Sequence, residues 1–320
     1  MLKKAVLLLN MGGPGKLEEV EIFLKNMFND PFILSIKSSF CRKILAFIIT
    51  FFRKKKAEEN YLQIGGASPI NALTISLVNK MKALAPNYVC VDFAMNYTKP
   101  FANEVLKKYE NFDDIILIPL YPHYSQTTVK SSIQSCKKAM SKNFKICKVF
   151  YKNEKYNEIL LNLIKDEISN FSAEEISKIS LIFSAHSLPI KIIEKGDPYE
   201  KQIREHVEIL SEMLKQKGVN FKEIILAYQS RLGPVKWLGP NTGDVLKNLK
   251  NKKALIFPLA FCIDNSETVF ELAVQYAKIA RERNFTFYKV CKCPNDRDEF
   301  AEFLLDLAKK QNKKLKFCIF

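Results

Sequence analysis

The stretch S-L-I-F-S-A-H-S-L-P, residues 180–189, carries an apolar run into a histidine and stops at a proline. Leu181, Ile182 and Phe183 are apolar on consecutive positions, as a strand buried on both faces must be, so the run predicts a strand over 179–183 that delivers His186 beyond its end. Open parallel sheets bind ligands past the carboxyl ends of their strands, which makes His186 the candidate reactive residue. The segment A-V-L-L-L-N-M-G-G-P, residues 5–14, can be laid on the same stretch. I-P-L-Y-P-H-Y-S-Q-T-T at 118–128 likewise lies on F-P-L-A-F-C-I-D-N-S-E-T at 257–268 with one gap.

Working outward, apolar runs predict strands at 5–9, 88–94 and 115–120, and again at 179–183, 223–227 and 255–257. Helical periodicity falls between them, at 17–27, in a helix to 85 with Ser68 near its N-cap, at 100–109, up to 140, and at 198–217, 241–249 and 266–283. Alternating strands and helices predict an α/β fold of parallel sheets flanked by helices. The repeat predicts two similar halves facing each other across a cleft. Their boundary is placed at 145–155, giving domains at 1–150 and 151–295, with a last helix from 296 to 320 packing back on the first. The G-G-P turn after the first strand lacks dinucleotide-binding spacing.

The chain has 320 residues, and Lys+Arg 50 against Asp+Glu 34 leaves +16. That balance favours polyanions, anionic membrane surfaces or acidic ligands. No RNA-binding signature or zinc-finger spacing accompanies it, so nucleic acid is not an expected partner. Eight scattered cysteines and no signal sequence predict reduced thiols in a cytoplasmic protein. Cys291-x-Cys293, with Cys318 as a distant third member, lacks the second close pair of a closed metal site. No segment approaches the roughly 20 apolar residues of a membrane span.

Residues 31–57 contain no acidic side chain, and Lys37, Arg42, Lys43, Arg53, Lys54, Lys55 and Lys56 flank the apolar stretch 44–52. This predicts either a core helix with a solvated basic end or a cationic amphipathic lip. The loop 228–240, rich in Pro and Gly and carrying the single Trp237, reads as a fixed wall or as a packed loop without a ligand. After the strand at 255–257 come Asp264, Glu267 and Glu271, which share a sheet edge with His186; Glu267, Glu271 and Gln275 are spaced to line one helix face. A histidine with carboxylates supplies proton acceptors and divalent-metal ligands, or the glutamates form a solvated helix face.

Together these motifs resemble the ferrochelatase family, enzymes that insert Fe2+ into a porphyrin. L-L-N-M-G-G-P, I-G-G-A-S-P-I, L-Y-P-H-Y-S, F-S-A-H-S-L-P, Y-Q-S-R-L-G-P-V-K-W-L-G-P and F-P-L-A-F-C-I-D-N-S-E-T occur in the family's order over nearly the whole chain. The resemblance implies two Rossmann-like domains of the chelatase type, with release of two protons as protohaem forms. It implies His186 and Glu267 as catalytic and metal-binding residues facing each other across the macrocycle, with Glu271 as a further metal ligand. Met11, Arg53, Tyr61, Ser68, Tyr97, Tyr121, Trp237 and Phe261 are implied as porphyrin contacts, Arg53 and Ser68 holding propionates. Neutral His186, with an ordinary pKa of about 6.5, is the expected base. Fe2+ is then substrate, with no permanently bound cofactor. Gln126 replaces a cluster-ligating cysteine of some relatives, so no iron-sulfur cluster is expected. Asn265 replaces a histidine, Gln275 a carboxylate and Asn96 an arginine. The alternatives are a haem or porphyrin carrier and a chelatase for another porphyrin such as coproporphyrin. A cytoplasmic location with peripheral contact at the inner face of a membrane is expected; oligomeric state is left open.

Overall fold

The computed structural model describes residues 3–311. Cys318 and the tail of the expected last helix lie outside the described residues. Contacts divide the chain into two units. The first runs to Tyr121 and includes Gln126–Val149 and the segment from Asn295; the second comprises Pro122–Ser125 and Phe150–Pro294.

The first unit holds a four-stranded parallel sheet of β1 (Lys4–Asn10), β2 (Val89–Met95), β3 (Asp114–Pro119) and β4 (Lys145–Ile146), in the order β2-β1-β3-β4. The second repeats it with β5 (Ser180–His186), β6 (Glu223–Gln229), β7 (Lys253–Pro258) and β8 (Phe287–Val290), in the order β6-β5-β7-β8. Each unit's first strand is central, so its residues are buried from both faces. Hence Ala5 to Leu9 and Leu181 to Phe183 are no more than 2% exposed. Leu7 and Leu117 pack under the helix Ala102–Leu106, and Ile182 and Ile256 under Leu246 and Leu272. The helix Asp298–Lys310 packs against the helix Ile70–Leu84 of the first unit.

Two expectations change. Strands β4 and β8 were not predicted: they are short edge strands, so their residues lack the continuous apolar run that marks a buried strand. Ser68 lies next to the N-cap, Pro69, which has no side-chain cap; Ser68 is buried against the Gly13 turn and its backbone N–H donates to Pro14 O at 2.8 Å. The predicted α-helix over 266–283 is a π-helix, Glu267–Tyr276, followed by the α-helix Ala277–Glu282. Its widened turns carry i→i+5 hydrogen bonds, a geometry concentrated at functional sites. The first unit repeats the feature at the matching place, Gln126–Lys130.

The basic apolar stretch lies within one helix, Ser39–Leu62, capped by Ser38 Oγ, which accepts from Cys41 N. Only Ala46, Thr50 and Tyr61 of it are buried. Phe40, Phe51 and Phe52 are 71%, 70% and 77% exposed, and Phe47 and Ile48 join them. A core helix would bury these rings; this one presents them to solvent.

Candidate active site

Strand β5 ends at His186, and the register sets it beside Gln229, the last residue of β6. The neighbouring strand β7 leads into Glu267. Asn265 accepts the Glu267 N–H on its Oδ1 at 2.8 Å and so fixes where the π-helix begins. The result is direct contact: His186 Nδ1 lies 2.8 Å from Glu267 Oε2. This corrects the expectation that the two face each other across a macrocycle. A carboxylate in hydrogen-bond contact leaves no room for a ring between them.

Three groups converge on that one oxygen: His186 Nδ1, Gln229 Nε2 at 3.2 Å and Ser230 Oγ at 2.7 Å. A carboxylate held in this way orients the imidazole, with Nδ1–H donating to Glu267 and Nε2 left for substrate. Ser230 adopts a left-handed φ of 65°, a conformation that costs a non-glycine residue energy. In return its N–H donates to Glu271 Oε1 at 2.8 Å while its hydroxyl sits in very short contact with Glu271 Oε2. A serine hydroxyl has one proton, so it cannot donate to both glutamates. The arrangement is satisfied when a protonated Glu271 donates to Ser230 Oγ and Ser230 donates to Glu267. Glu271 Oε1 meanwhile accepts from Ser230 N and from Tyr276 Oη at 2.9 Å.

The electrostatics agree with this assignment. Burial raises the Glu271 pKa and the neighbouring Glu267 charge raises it further, against the bonds from Ser230 and Tyr276. Burial disfavours charge on Glu267 too, but the His186 charge and the three hydrogen bonds outweigh it and hold its carboxyl below the usual range. Burial likewise opposes protonation of His186; the charge and hydrogen bond of Glu267, helped by Glu271, outweigh it and raise its pKa. The expected ordinary histidine pKa is therefore corrected upward.

Trp237 is half-buried and its backbone pairs with Pro189, just past the reactive strand; Ile190 N donates to Lys236 O at 2.9 Å and Leu238 N to Leu188 O at 3.0 Å. The rest of the loop, residues 231–236, is exposed. Phe261 is half-buried after β7. In the first unit, Met11, Tyr61 and Tyr97 meet in one apolar cluster with Phe23 and Phe28. The Arg53 guanidinium lies 5.8 Å from the Phe28 ring centre, and its pKa is lowered by burial. Gly12 lets the chain close there: its φ is 77°, and a Cβ would meet Thr98 Oγ1 at 2.2 Å. Tyr97 Oη donates to buried Asp30 at 2.8 Å. Half-buried Asn96 donates to Ser131 Oγ at 2.7 Å. Tyr121 is half-buried after β3.

Gln275 is exposed, so the expected third rung does not join Glu267 and Glu271. Ser230, Gln229 and Tyr276 were missed as site residues. The signal for the first two was available, since Tyr228-Gln229-Ser230 stands at a strand's carboxyl end. Cys291 and Cys293 are buried thiols whose pKa values burial raises strongly. Among the described residues no group of three or more His, Cys, Asp or Glu side chains is arranged to hold a metal.

A family model described as Ferrochelatase matches residues 3–312. A protein of Campylobacter concisus named Ferrochelatase is 58% identical over 313 residues, covering 96% of this chain and 98% of its own. Relatives of the same name in Campylobacter fetus and Sulfurimonas denitrificans are 53% and 47% identical, covering 95% and 97% of this chain and 98% and 99% of theirs. Among solved structures, CbiX, the terminal enzyme for biosynthesis of siroheme in denitrifying bacteria, superposes with a TM-score of 0.54 at 13% identity, covering 96% of this chain and 98% of its own. SirB from Bacillus subtilis does so with 0.56 at 10%, covering 98% and 96%. At such identities these two share the fold.

Proposed function

The chain belongs to the ferrochelatase family, and from that premise we propose that it inserts Fe2+ into protoporphyrin IX with release of two protons, using His186 as proton acceptor beside Glu267. The observation that carries the residue assignment is the contact of His186 Nδ1 with Glu267 Oε2 at 2.8 Å. It leaves Nε2 as the free lone pair of the neutral imidazole. A flat porphyrin hides its nitrogen lone pairs in the ring plane, and a base beside the ring must take the pyrrole N–H protons before metal replaces them. Once His186 is protonated, the Glu267 charge stabilises it. Protonated Glu271, donating to Ser230 Oγ, and Ser230, donating to Glu267, hold that carboxylate in place as the proton arrives. Iron is substrate in this scheme, and no resident cofactor or cluster takes part. Glu267 Oε1, on the side away from the three donors, is the oxygen suited to meet the cation, and Nε2 the nitrogen. The apolar cluster with Met11, Tyr61 and Tyr97, with Arg53 at its edge, suits a greasy disc bearing carboxylates.

Purified protein given porphyrin and Fe2+ or Zn2+ is expected to produce metalloporphyrin over many turnovers, followed by the change in its visible spectrum. Binding of porphyrin without turnover with either metal would make the protein a carrier. Coproporphyrin offered in parallel distinguishes the preferred ring.

No helix of the described residues is long and apolar enough to cross a membrane. The solvent-facing rings of the Ser39–Leu62 helix, bracketed by lysines and arginines, suit peripheral contact with an anionic bilayer on the cytoplasmic side. Each basic side chain near such a surface contributes about 1 kcal/mol. Sedimentation with vesicles is expected to capture the protein on phosphatidylglycerol-containing bilayers at low salt. Phe51→Asp with Phe52→Asp should release it. Equal binding to neutral vesicles, or none at low salt, would exclude this contact.

A further inference from the structure

A second polar array lies inside the second unit, away from the carboxylates. His123 Nε2 is 2.9 Å from His206 Nδ1, and His206 Nε2 is 2.9 Å from Asn157 Oδ1. Asn157 Nδ2 donates to Tyr151 O at 3.0 Å, which fixes the orientation of its amide. Its oxygen therefore accepts from His206 Nε2–H, and His206 Nδ1 accepts from His123 Nε2–H. Each tautomer in the row follows from the one before. Both histidines are fully buried, and burial holds their pKa values low, that of His206 down to about 3, so both stay neutral.

His123 belongs to the segment Pro122–Ser125, which is clipped to the start of the helix Tyr199–Gln216. Tyr124 N donates to Gln202 Oε1 at 2.7 Å and Ser125 Oγ to Asp197 Oδ2 at 3.0 Å, while Asp197 Oδ1 accepts from Tyr199 N at 3.1 Å. The edge-on packing of His123 and Tyr199, with ring centres 6.1 Å apart and planes at 83°, fixes the tyrosine ring. Tyr199 Oη donates at 3.0 Å to the backbone carbonyl of His186, the last residue of β5. Burial raises the Tyr199 pKa strongly, which keeps it a donor.

We propose that Tyr199 is a positioning residue for His186, and that His123, set by His206 and Asn157, holds the Tyr199 ring where it can pin that carbonyl. The proposal rests on His186 as the proton acceptor. Pinning the carbonyl sets the backbone from which the imidazole meets Glu267, so it acts on the proton-transfer step and leaves porphyrin binding alone.

Tyr199→Phe keeps the ring and removes the donor. It is expected to lower kcat for Fe2+ or Zn2+ insertion about three- to ten-fold with the porphyrin KM unchanged, the scale of one lost neutral hydrogen bond. His123→Gln retains a donor toward His206 but no ring against Tyr199, and should lower kcat in the same way. Because both act through one contact, the double variant should be no slower than Tyr199→Phe alone. His186→Ala is measured alongside. If it abolishes insertion while Tyr199→Phe keeps wild-type kcat, or if the two losses multiply, the positioning role is wrong. If His186→Ala retains full activity, it is the assignment of the base that fails. Should His123→Gln not fold, the kcat of Tyr199→Phe decides alone.

Discussion

His186→Ala is expected to lower metal insertion about 10²- to 10⁴-fold, the range for loss of a positioned general base. Thermal stability should fall as well, because Glu267 loses the partner that offsets its burial, so kcat is compared on folded protein at a temperature well below both Tm values. The porphyrin KM should hold within about three-fold, since only a group acting in the transition state lowers kcat alone. The pH dependence carries a second expectation. Neutral His186 is the competent form, and Glu267 raises its pKa. The acid limb of kcat/KM in the wild type should therefore lie above the ordinary histidine value of about 6.5. Stopped assays across pH on both proteins read this out. A variant as fast as wild type, or a limb below 6.5 in the wild type, contradicts the assignment.

Glu267→Gln keeps shape and removes charge, and is expected to cost about 10²-fold in kcat. The glutamine cannot stabilise protonated His186 or meet a cation with a charged oxygen. With the charge gone, burial acts on His186 without its main opponent, so the acid limb of the residual activity should move to lower pH. Stability gives an independent readout. The folded Glu267 pKa is depressed, so its contribution is lost as pH falls through that lowered value. The folded His186 pKa is raised, so its contribution is lost as pH rises through that raised value. The difference in Tm between wild type and Glu267→Gln should be greatest between those limits and shrink on both sides. A difference in Tm that is flat across pH would remove the ion pair from the account.

Much of this was legible in the residues. Leu181 to Phe183 and Ala5 to Leu9 had to be central strands, because only burial from both faces explains such continuous apolar runs. That placed His186 at a strand's carboxyl end, and the spacing after β7 brought Glu267 and Glu271 to the same edge. Edge strands β4 and β8 were not legible, since a strand half-covered and two to four residues long carries no pattern of its own. The π-helix was also hidden: Glu267 and Glu271 are spaced as an α-helix would space them, and the wider turn comes from how the segment is held at Asn265.

Sequence alone determined the fold class, the duplication of the sheet and the family, and singled out His186 and Glu267 as candidates, because periodicity and residue type are local properties of the chain. Tertiary structure decided that the two touch on one side, that Ser230 links Glu267 to Glu271, and that Tyr199 reaches the His186 carbonyl. It also decided that the rings of Phe40, Phe51 and Phe52 face solvent. These are distances and exposures set by packing among residues dozens of positions apart. A protonation state such as that of His186 follows from them, since a pKa depends on the charges and burial around a group and not on the group alone.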